Sequence, residues 1–450
     1  MGRNAEPARR FGALPRLMRG LPASDGPVMA RWVLAAALVA AGPVVSAQEW
    51  TGWRGPERDG VVPASQTIEA WPEAFARAWR VEIGEGYSSP VVSGGRVFLH
   101  SREGNAEVVT AFDLSSGARL WRQDYPALYV QNTIVPGDLP GPFATPAVDG
   151  GRVFTLGAAG ILSSWDAASG ALVWRNDYSA SVQVTGLFCG TAASPFVAGG
   201  MLIVQVGSDA GGGRVLALDP ATGDELWVWS GVGPGYASPI VVDIEGQRQV
   251  VTLTESSIVG LDAANGELLW SVPFTDEWHE NIMTPVWTGE HLVVSGPRQG
   301  THAFTIRRRE EGWRAAPAWS NARVTMYMSS PVLTAGTLYG HSSTRSGQFV
   351  ALDAASGAVQ WASEGREGDL ASVLLAGDDL LLLNSDAELV VAEPDAEAFT
   401  VARQYEVADG ATWSMPVPLP DGLLIRDATS LLRLVPADRE SAPQEPRRRR

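Results

Sequence analysis

Lysine is absent from this chain of 450 residues, and cysteine occurs once. All 34 basic residues are therefore arginine. Without lysine the chain cannot form a lysine Schiff base or a phosphate-binding loop that ends in Gly-Lys. The single cysteine, Cys189, excludes an internal disulfide and a metal site built from several cysteines. Its simplest interpretation is a small buried residue.

Positive charge is scarce as well, because the net charge of the chain is -16. Residues 1–47 hold six arginines but only two acidic residues, Glu6 and Asp25. The rest of the chain is therefore even more acidic than the whole. A strongly acidic surface repels nucleic acid and anionic lipid. We expect neither of these to be a partner of the protein.

The uncharged run near the N-terminus, residues 32–45, is about 14 residues long, whereas a spanning helix needs roughly 20. It follows Arg31 and ends at Val45-Ser46-Ala47, which resembles a signal-peptide cleavage site. We predict a signal peptide over residues 1–47, with 1–28 as an upstream extension if Met29 is the true start. An uncleaved anchor is the alternative. No cysteine follows the run, so we expect an exported, soluble periplasmic or extracellular protein with no lipid anchor and no membrane span.

Tryptophan, in contrast, is abundant, and most copies belong to an internal repeat. The chain has 17 Trp, 49 Gly and 30 Pro. The repeat is an apolar residue, Asp, three residues, Gly, three residues and Trp. It occurs as Asp113-Gly117-Trp121, Asp166-Gly170-Trp174, Asp219-Gly223-Trp227, Asp262-Gly266-Trp270 and Asp353-Gly357-Trp361. A unit this short cannot bury its own apolar face, so the copies must stack on one another.

A second marker, a Pro that usually follows Ser or Thr directly, alternates with the first and opens a short apolar strand. Copies recur at Pro90, Pro146, Pro195, Pro239, Pro285, Pro331 and Pro416. Four strands per unit of roughly 40–50 residues is the spacing of propeller blades. Trp319 and Tyr405 take the Trp position in the two units without a full Asp–Gly–Trp copy, and Ser372 replaces one Pro.

The two ends of the repeat array complement each other. Trp79 is a repeat Trp with no blade before it, whereas the unit that begins at Pro416 lacks an Asp–Gly–Trp copy. The strand around Trp79 is therefore predicted to complete the last blade, which closes the ring and removes both free sheet edges. The prediction is an all-β, eight-bladed propeller over residues 79–435. An N-terminal flap over one face (residues 48–78) would precede it, and a disordered Arg-rich tail (residues 436–450) would follow.

Repeats of this form resemble the pyrroloquinoline-quinone (PQQ) type of β-propeller from about Trp79 to Val435. The superfamily includes quinoprotein alcohol dehydrogenases and the non-catalytic propeller lipoprotein of the outer-membrane β-barrel assembly machinery. The segment Trp53-Arg54-Gly55-Pro56 resembles exported bacterial members. Many of the dehydrogenases stack PQQ on a disulfide between adjacent cysteines and bind Ca²⁺ beside a catalytic Asp. One cysteine cannot supply that disulfide, and the lipid-bearing cysteine of the assembly lipoprotein is also missing.

One loop concentrates chemically active side chains. Asp276, Trp278, Glu280 and Asn281 are candidates to hold PQQ with Ca²⁺, through oxygen ligands and a flat ring. The alternative, which we favour, is a solvated loop of an acidic protein. Tyr87, Phe143, Tyr236 and Trp413 recur before the Pro strands. Their recurrence favours packing over a role in lining the channel mouth.

The repeat is intact, but no catalytic set accompanies it. We therefore expect a monomeric, non-catalytic binding or scaffold protein of the cell envelope, with no bound metal or cofactor. Its partner would be an envelope protein or a small molecule at the channel face. The alternative is a PQQ- and Ca²⁺-dependent dehydrogenase of alcohols or sugars.

Overall fold

The computed structural model describes residues 49–130, 139–180, 189–208, 212–275 and 278–437. Residues 1–47 and residues 438–450, where we predict the signal peptide and most of the tail, lie outside the described part. In the described part every regular element is a β-strand apart from two 3₁₀ turns, Ala64–Gln66 and Thr344–Ser346. No helix in that part is long and apolar enough to cross a membrane.

The strands form eight sheets, each of which is one blade of a propeller. Two strands precede the continuous blades, β1 (Val61–Val62) and β2 (Phe75–Glu82). Blade 1 comprises β3 (Val91–Ser93), β4 (Arg96–Glu103), β5 (Ala106–Asp113) and β6 (Arg119–Pro126), and blade 2 comprises β7 (Ala147–Asp149), β8 (Arg152–Leu156), β9 (Ile161–Asp166) and β10 (Leu172–Asp177). Blade 3 comprises β11 (Phe196–Ala198), β12 (Met201–Ser208), β13 (Gly212–Leu218) and β14 (Glu225–Gly231). Blade 4 comprises β15 (Ile240–Ile244), β16 (Gln247–Leu253), β17 (Ser257–Asp262) and β18 (Leu268–Pro273).

The next three blades follow the same order of strands. Blade 5 comprises β19 (Val286–Trp287), β20 (His291–Gly296), β21 (Gly300–Arg309) and β22 (Gly312–Asn321). Blade 6 comprises β23 (Val332–Thr334), β24 (Thr337–Ser342), β25 (Gln348–Asp353) and β26 (Val359–Ala362). Blade 7 comprises β27 (Ala371–Ala376), β28 (Asp379–Asn384), β29 (Glu388–Ala392) and β30 (Val401–Glu406). Neighbouring strands pair antiparallel within each blade. Blade 7 also carries β1, which pairs with β27 in parallel.

Blade 8 is built from both ends of the array. Its sheet order is β2, then β33 (Ser430–Pro436), β32 (Gly422–Arg426) and β31 (Val417–Leu419). β2 pairs antiparallel with β33 from Phe75 opposite Pro436 to Glu82 opposite Ser430. The predicted eight-bladed ring, closed by pairing of the terminal strands, is therefore confirmed.

The tryptophan of one blade packs on the Asp–Gly turn of the next blade. Gly170 has φ +74°, and a Cβ atom there would lie 2.6 Å from Trp121 of the preceding blade. Trp121 Nε1 also donates a hydrogen bond of 3.1 Å to the carbonyl of Ala167 in that turn. The same pair of contacts joins Trp79 with Gly117, Trp174 with Gly223, Trp227 with Gly266 and Trp319 with Gly357. Each indole thus joins two blades through packing and one hydrogen bond.

Trp270 departs from this arrangement because the next blade has no Asp–Gly turn. Blade 5 replaces that turn with the long hairpin of β21 and β22. Trp270 instead donates a 2.7 Å hydrogen bond to Gln249 Oε1 in its own blade and lies against Gly260 there.

Candidate functional site

The N-terminal segment before the ring contacts the first strands of the blades, which surround the channel. Trp50 and Val92 of blade 1 exchange two backbone hydrogen bonds of 2.8 and 2.9 Å. Val148 N of blade 2 donates a 2.7 Å hydrogen bond to the carbonyl of Thr51. Residues 49–62, called the channel segment below, end in β1 on blade 7. The segment therefore contacts the first strands of blades 1 and 2 and the first strand of blade 7. The flap over one face that the sequence suggests for residues 48–78 stays a prediction.

Two buried arginines fix the turn of the channel segment. Arg54 donates 2.7 Å hydrogen bonds to the carbonyls of Ser330 and Pro331 in blade 6. Arg58 donates to the carbonyls of Pro239, Ser194 and Pro195 in blades 4 and 3. Burial lowers the pKa of Arg54 to about 10 and that of Arg58 to about 9, so both are cations at neutral pH. The arginines thus tie the segment to three blades.

Hydroxyl groups at the Ser/Thr–Pro markers, called the belt below, link several pairs of neighbouring blades around the channel. In each of these links, the backbone N–H of the residue directly before the marker Pro donates a hydrogen bond to a side-chain hydroxyl at the same position of the next blade. The bonds, of 2.9 to 3.0 Å, run from Ser89 to Thr145, Thr145 to Ser194, Ser194 to Ser238, Thr284 to Ser330 and Met415 to Ser89. The marker therefore has a structural cause, which sequence reasoning missed: the Pro opens the strand and the hydroxyl joins it to its neighbour.

A cavity of about 450 Å³ lies at the channel mouth, on the side of the Ser/Thr–Pro markers. Every blade contributes to its wall, and Trp53 of the channel segment lines it as well. Trp53 Nε1 donates a 2.9 Å hydrogen bond to Thr284 Oγ1 of the belt, so this indole is held in place. A volume of this size is typical of a ligand-binding pocket.

Aromatic rings form a continuous row on the cavity wall. The rings of Tyr87 and Phe143 stack with centroids 5.2 Å apart and planes within 2°. Trp413 stacks on the other side of Tyr87 with centroids 4.8 Å apart. Tyr236 also lines the cavity. The four recurring aromatic residues therefore line the channel mouth, and three of them also pack on one another, although the sequence favoured packing alone.

The charged residues described on the wall are both acidic, Glu280 and Asp369. Tyr327 donates its hydroxyl to Glu280 Oε2. Cys189 lies half-buried on the same wall rather than in a core. Burial, followed by the charge of Glu280, raises the pKa of its thiol to about 11, so the thiol is neutral at physiological pH. The wall is thus aromatic and negatively charged.

The structure describes three of the four candidate cofactor residues and places them in different surroundings. Asp276 lies outside the described residues. Trp278 is exposed, and it is not on the cavity wall. Asn281 is buried, and its Nδ2 donates 2.7 Å hydrogen bonds to the carbonyls of Thr254 and Phe274. Of the three candidates that the structure describes, only Glu280 lines the cavity.

A separate buried ion pair lies between blades 1 and 2. Arg102 Nη2 is 2.9 Å from Glu107 Oε1, which also accepts from Ala158 N. Tyr125 donates its hydroxyl to Glu107 Oε2, and His100 lies 3.6 Å from the same oxygen. Burial raises the pKa of Glu107, but the hydrogen bonds of His100 and Tyr125 and the charge of Arg102 outweigh burial and lower it. These contacts join two blades, as the tryptophans do.

The sequence matches a known family over most of the ring. A family model described as "Outer membrane protein assembly factor BamB" matches residues 68–136 and 105–363. The chain belongs to the BamB family. The assembly factor BamB of Yersinia pestis is 30% identical over 225 residues, which cover 48% of this chain and 50% of that protein. BamB of Moranella endobia is 24% identical over 360 residues, which cover 79% of this chain and 76% of that one.

The match to some of these BamB relatives is partial, because the chain spans about half the length of the Yersinia pestis and Kangiella koreensis proteins. BamB of Moraxella catarrhalis superposes with a TM-score of 0.56 at 15% identity, over 80% of this chain and 100% of that one. A quinohemoprotein alcohol dehydrogenase of Comamonas testosteroni superposes with 0.60 at 14% identity, over 88% and 82%. At these identities the likeness to both solved structures shows the fold alone.

In this BamB-family chain the described residues of the cavity wall do not fit PQQ and Ca²⁺. PQQ carries carboxylates, whereas the charged residues described on the cavity wall are acidic. Arg54 and Arg58, the cations of the channel segment, donate to backbone carbonyls instead. Ca²⁺ takes 6–8 oxygen ligands, and no group of three His, Cys, Asp or Glu in the described part is placed to hold a metal.

Proposed function

We propose that the protein is an exported, non-catalytic binding scaffold of the cell envelope that takes part in outer membrane protein assembly. The observation that carries this proposal is the family match, which spans residues 68 to 363. The described ring supports it, because the N-terminal segment of the protein is bonded to the first strands of the blades and a cavity lined by every blade lies at the channel mouth. Export rests on the signal peptide predicted over residues 1–47.

The chemistry of the cavity wall also favours binding over catalysis. The wall holds serine and threonine hydroxyls, among them Ser194 and Ser238, but no histidine is described beside them. A hydroxyl nucleophile needs an adjacent base. The hydroxyls instead accept hydrogen bonds in the belt. Cys189 has a raised thiol pKa, so it is also a poor nucleophile at neutral pH.

A pull-down from envelope extract tests the scaffold. We expect immobilised protein, residues 48–450, to retain outer-membrane or periplasmic proteins that mass spectrometry identifies. A variant with Trp413→Ser and Glu280→Gln removes an aromatic and a charged group from the cavity wall, so it should retain less. Asp149→Asn, an equally large change of charge at an exposed hairpin, serves as the matched control. Retention no greater than on a blank column would contradict the proposal.

The dehydrogenase alternative is supported by likeness of fold and not by the wall of the cavity. Titration with PQQ in the presence of Ca²⁺, followed by absorbance, tests it directly. We expect no binding at micromolar concentration and no reduction of a dye by alcohols or sugars. Saturable binding together with dye reduction would replace the scaffold proposal with an oxidoreductase.

A further inference from the structure

The cavity at the channel mouth combines aromatic rings with acidic side chains. Trp53, Tyr87, Phe143, Tyr236 and Trp413 supply the rings. An aromatic ring carries negative charge on its face and attracts a cation placed within about 6 Å of its centroid. The attraction strengthens when the cation loses part of its water. The wall is therefore suited to an organic cation.

The carboxylates reinforce this preference. Glu280 belongs to the loop before blade 5 and Asp369 to the loop before blade 7, so acidic groups reach the cavity from two sides of the ring. No basic side chain is among the described residues of the wall. The guanidinium groups of Arg54 and Arg58 bind carbonyls of the surrounding blades. An anion would meet repulsion here, whereas a cation would be attracted to carboxylates and rings together.

We propose that this cavity binds an arginine or lysine side chain carried on an extended segment of a partner polypeptide. The inference rests on the proposed function, since it names the kind of segment that the scaffold binds. The basic group lies between the aromatic row and the carboxylates, and its aliphatic stem contacts the rings. Arginine is favoured over lysine, because its planar group stacks on aromatic faces and binds carboxylates through two nitrogens.

The size of the cavity and its rim agree with a side chain that is part of a polypeptide. A volume of about 450 Å³ accommodates a long side chain and part of its neighbours. Met328 and Trp413 line the cavity and are 44% and 46% exposed, so they offer apolar surface to the flanking residues. Exposed aromatic and methionine side chains are typical of surfaces that bind peptides.

A peptide series separates charge from shape. Three labelled peptides are used that differ only at a central residue: arginine, its neutral isostere citrulline, or glutamate. Fluorescence anisotropy with residues 48–450 measures their affinities. We expect the arginine peptide to bind at least about tenfold more tightly than the citrulline peptide, and the glutamate peptide to bind most weakly. Equal affinity of the arginine and citrulline peptides, or displacement of the arginine peptide by PQQ, overturns the proposal.

Two nearly isosteric variants locate the effect in the cavity. Glu280→Gln and Asp369→Asn should each weaken the arginine peptide by about tenfold and leave the citrulline peptide unchanged. Asp149→Asn, on an exposed hairpin of blade 2, should change neither affinity. Circular dichroism confirms that each variant is folded, and if one fails to fold, the other still tests the cavity. A loss with Asp149→Asn equal to that with both cavity variants assigns binding to the net charge of the protein and overturns the proposal.

The pull-down and the peptide series together distinguish the failure of this inference from the failure of the proposed function. If the protein retains envelope proteins but the peptides show no preference for positive charge, the inference fails and the scaffold stands. If the peptides show the preference but no envelope protein is retained, the cavity selects cations and the scaffold proposal fails.

Discussion

At the scale of single residues, the glycine of the Asp–Gly turn has two reasons to be glycine. Gly170 adopts φ +74°, a conformation that other residues reach only with strain, and it lies under the indole of Trp121. Gly150, in a hairpin of the same blade, has φ +54° with no atom within 4 Å of a Cβ position. Comparing the two positions therefore separates backbone strain from contact with the tryptophan.

We predict that Gly170→Ala lowers the free energy of unfolding by about 3 kcal/mol, since it combines strain with a clash. Gly150→Ala should cost only about 1 kcal/mol, from strain alone. Denaturant unfolding followed by tryptophan fluorescence measures both. Equal losses of unfolding free energy in the two variants would show that the Trp121 side chain moves aside without an energetic cost. The contact between Trp121 and Gly170 would then not join the blades.

The aspartates of the same turns make the ring sensitive to acid. Hydrogen bonds from the hydroxyls of Ser115 and Ser116 lower the pKa of Asp113 to about 2. Hydrogen bonds from Ser169 and Ser356 lower the pKa values of Asp166 and Asp353. Because each folded pKa lies below its unfolded value, the contribution to stability is complete above about pH 4. It is lost as the pH falls toward 2.

We predict that the melting temperature of the protein falls between pH 4 and 2, and that it falls less in a variant carrying Asp113→Asn, Asp166→Asn and Asp353→Asn. Asparagine keeps an acceptor for the turn but cannot be protonated in this range. Scanning calorimetry at several pH values measures the slopes. The control Asp149→Asn should follow the unmodified protein, and a triple variant as acid-sensitive as that protein would contradict the assignment.

At the scale of elements, the channel segment connects several blades of the ring to one another. It pairs with blades 1 and 7, and its arginines reach the carbonyls of blades 3, 4 and 6. Trp50 and Val62 belong to the core cluster that joins blades 1, 7 and 8. The segment therefore fastens blades that are far apart in the sequence.

Replacing Arg58 with methionine should lower the free energy of unfolding by about 2 kcal/mol. Methionine fills similar volume but leaves the carbonyls of Ser194, Pro195 and Pro239 without their donors. The exposed neighbour Glu57 provides the control, since Glu57→Gln should be neutral. Unfolding midpoints of the two variants measure the difference. A methionine variant as stable as the unmodified protein would show that hydrophobic burial alone holds the segment.

At the scale of the whole molecule, stability depends on joining the two ends of the chain in one sheet. β2 and β33 form the outer half of blade 8, and Ala76 lies opposite Val435. Without this pairing, blade 8 would lose its outer strand and the contact of Trp79 with the turn of blade 1, and β33 would become a free edge.

Ring closure predicts that Ala76→Cys and Val435→Cys form a disulfide on oxidation in a Cys189→Ser background. Paired strands bring Cα atoms within the range that a disulfide spans. The bond should raise the free energy of unfolding by about 3 kcal/mol, because it closes a very long loop. A thiol assay and denaturant unfolding measure the two effects. Ala76→Cys with Val173→Cys, in separate blades, is the control, and its thiols should remain free.

How much the sequence predicted depends on how far apart the interacting residues are. The blades were predictable because Asp113, Gly117 and Trp121 recur within one unit. Closure followed from Trp79, which lacked a blade. The partners of Trp270, the carbonyls bound by Arg58 and the surroundings of Glu280 depend on contacts between distant segments, which no local pattern encodes.

The spacing of the repeat by itself determined the number of blades, the order of the strands and the pairing of the two ends, since each blade is a local unit that must bury its apolar faces on its neighbours. Only the tertiary structure decided that residues 49–62 contact the first strands of several blades and that aromatic and acidic side chains meet at the channel mouth. The physical reason is that the ring brings one loop of every blade to a common axis. The chemistry at that axis therefore depends on the side chains of eight loops together, and the sequence of no single loop predicts it.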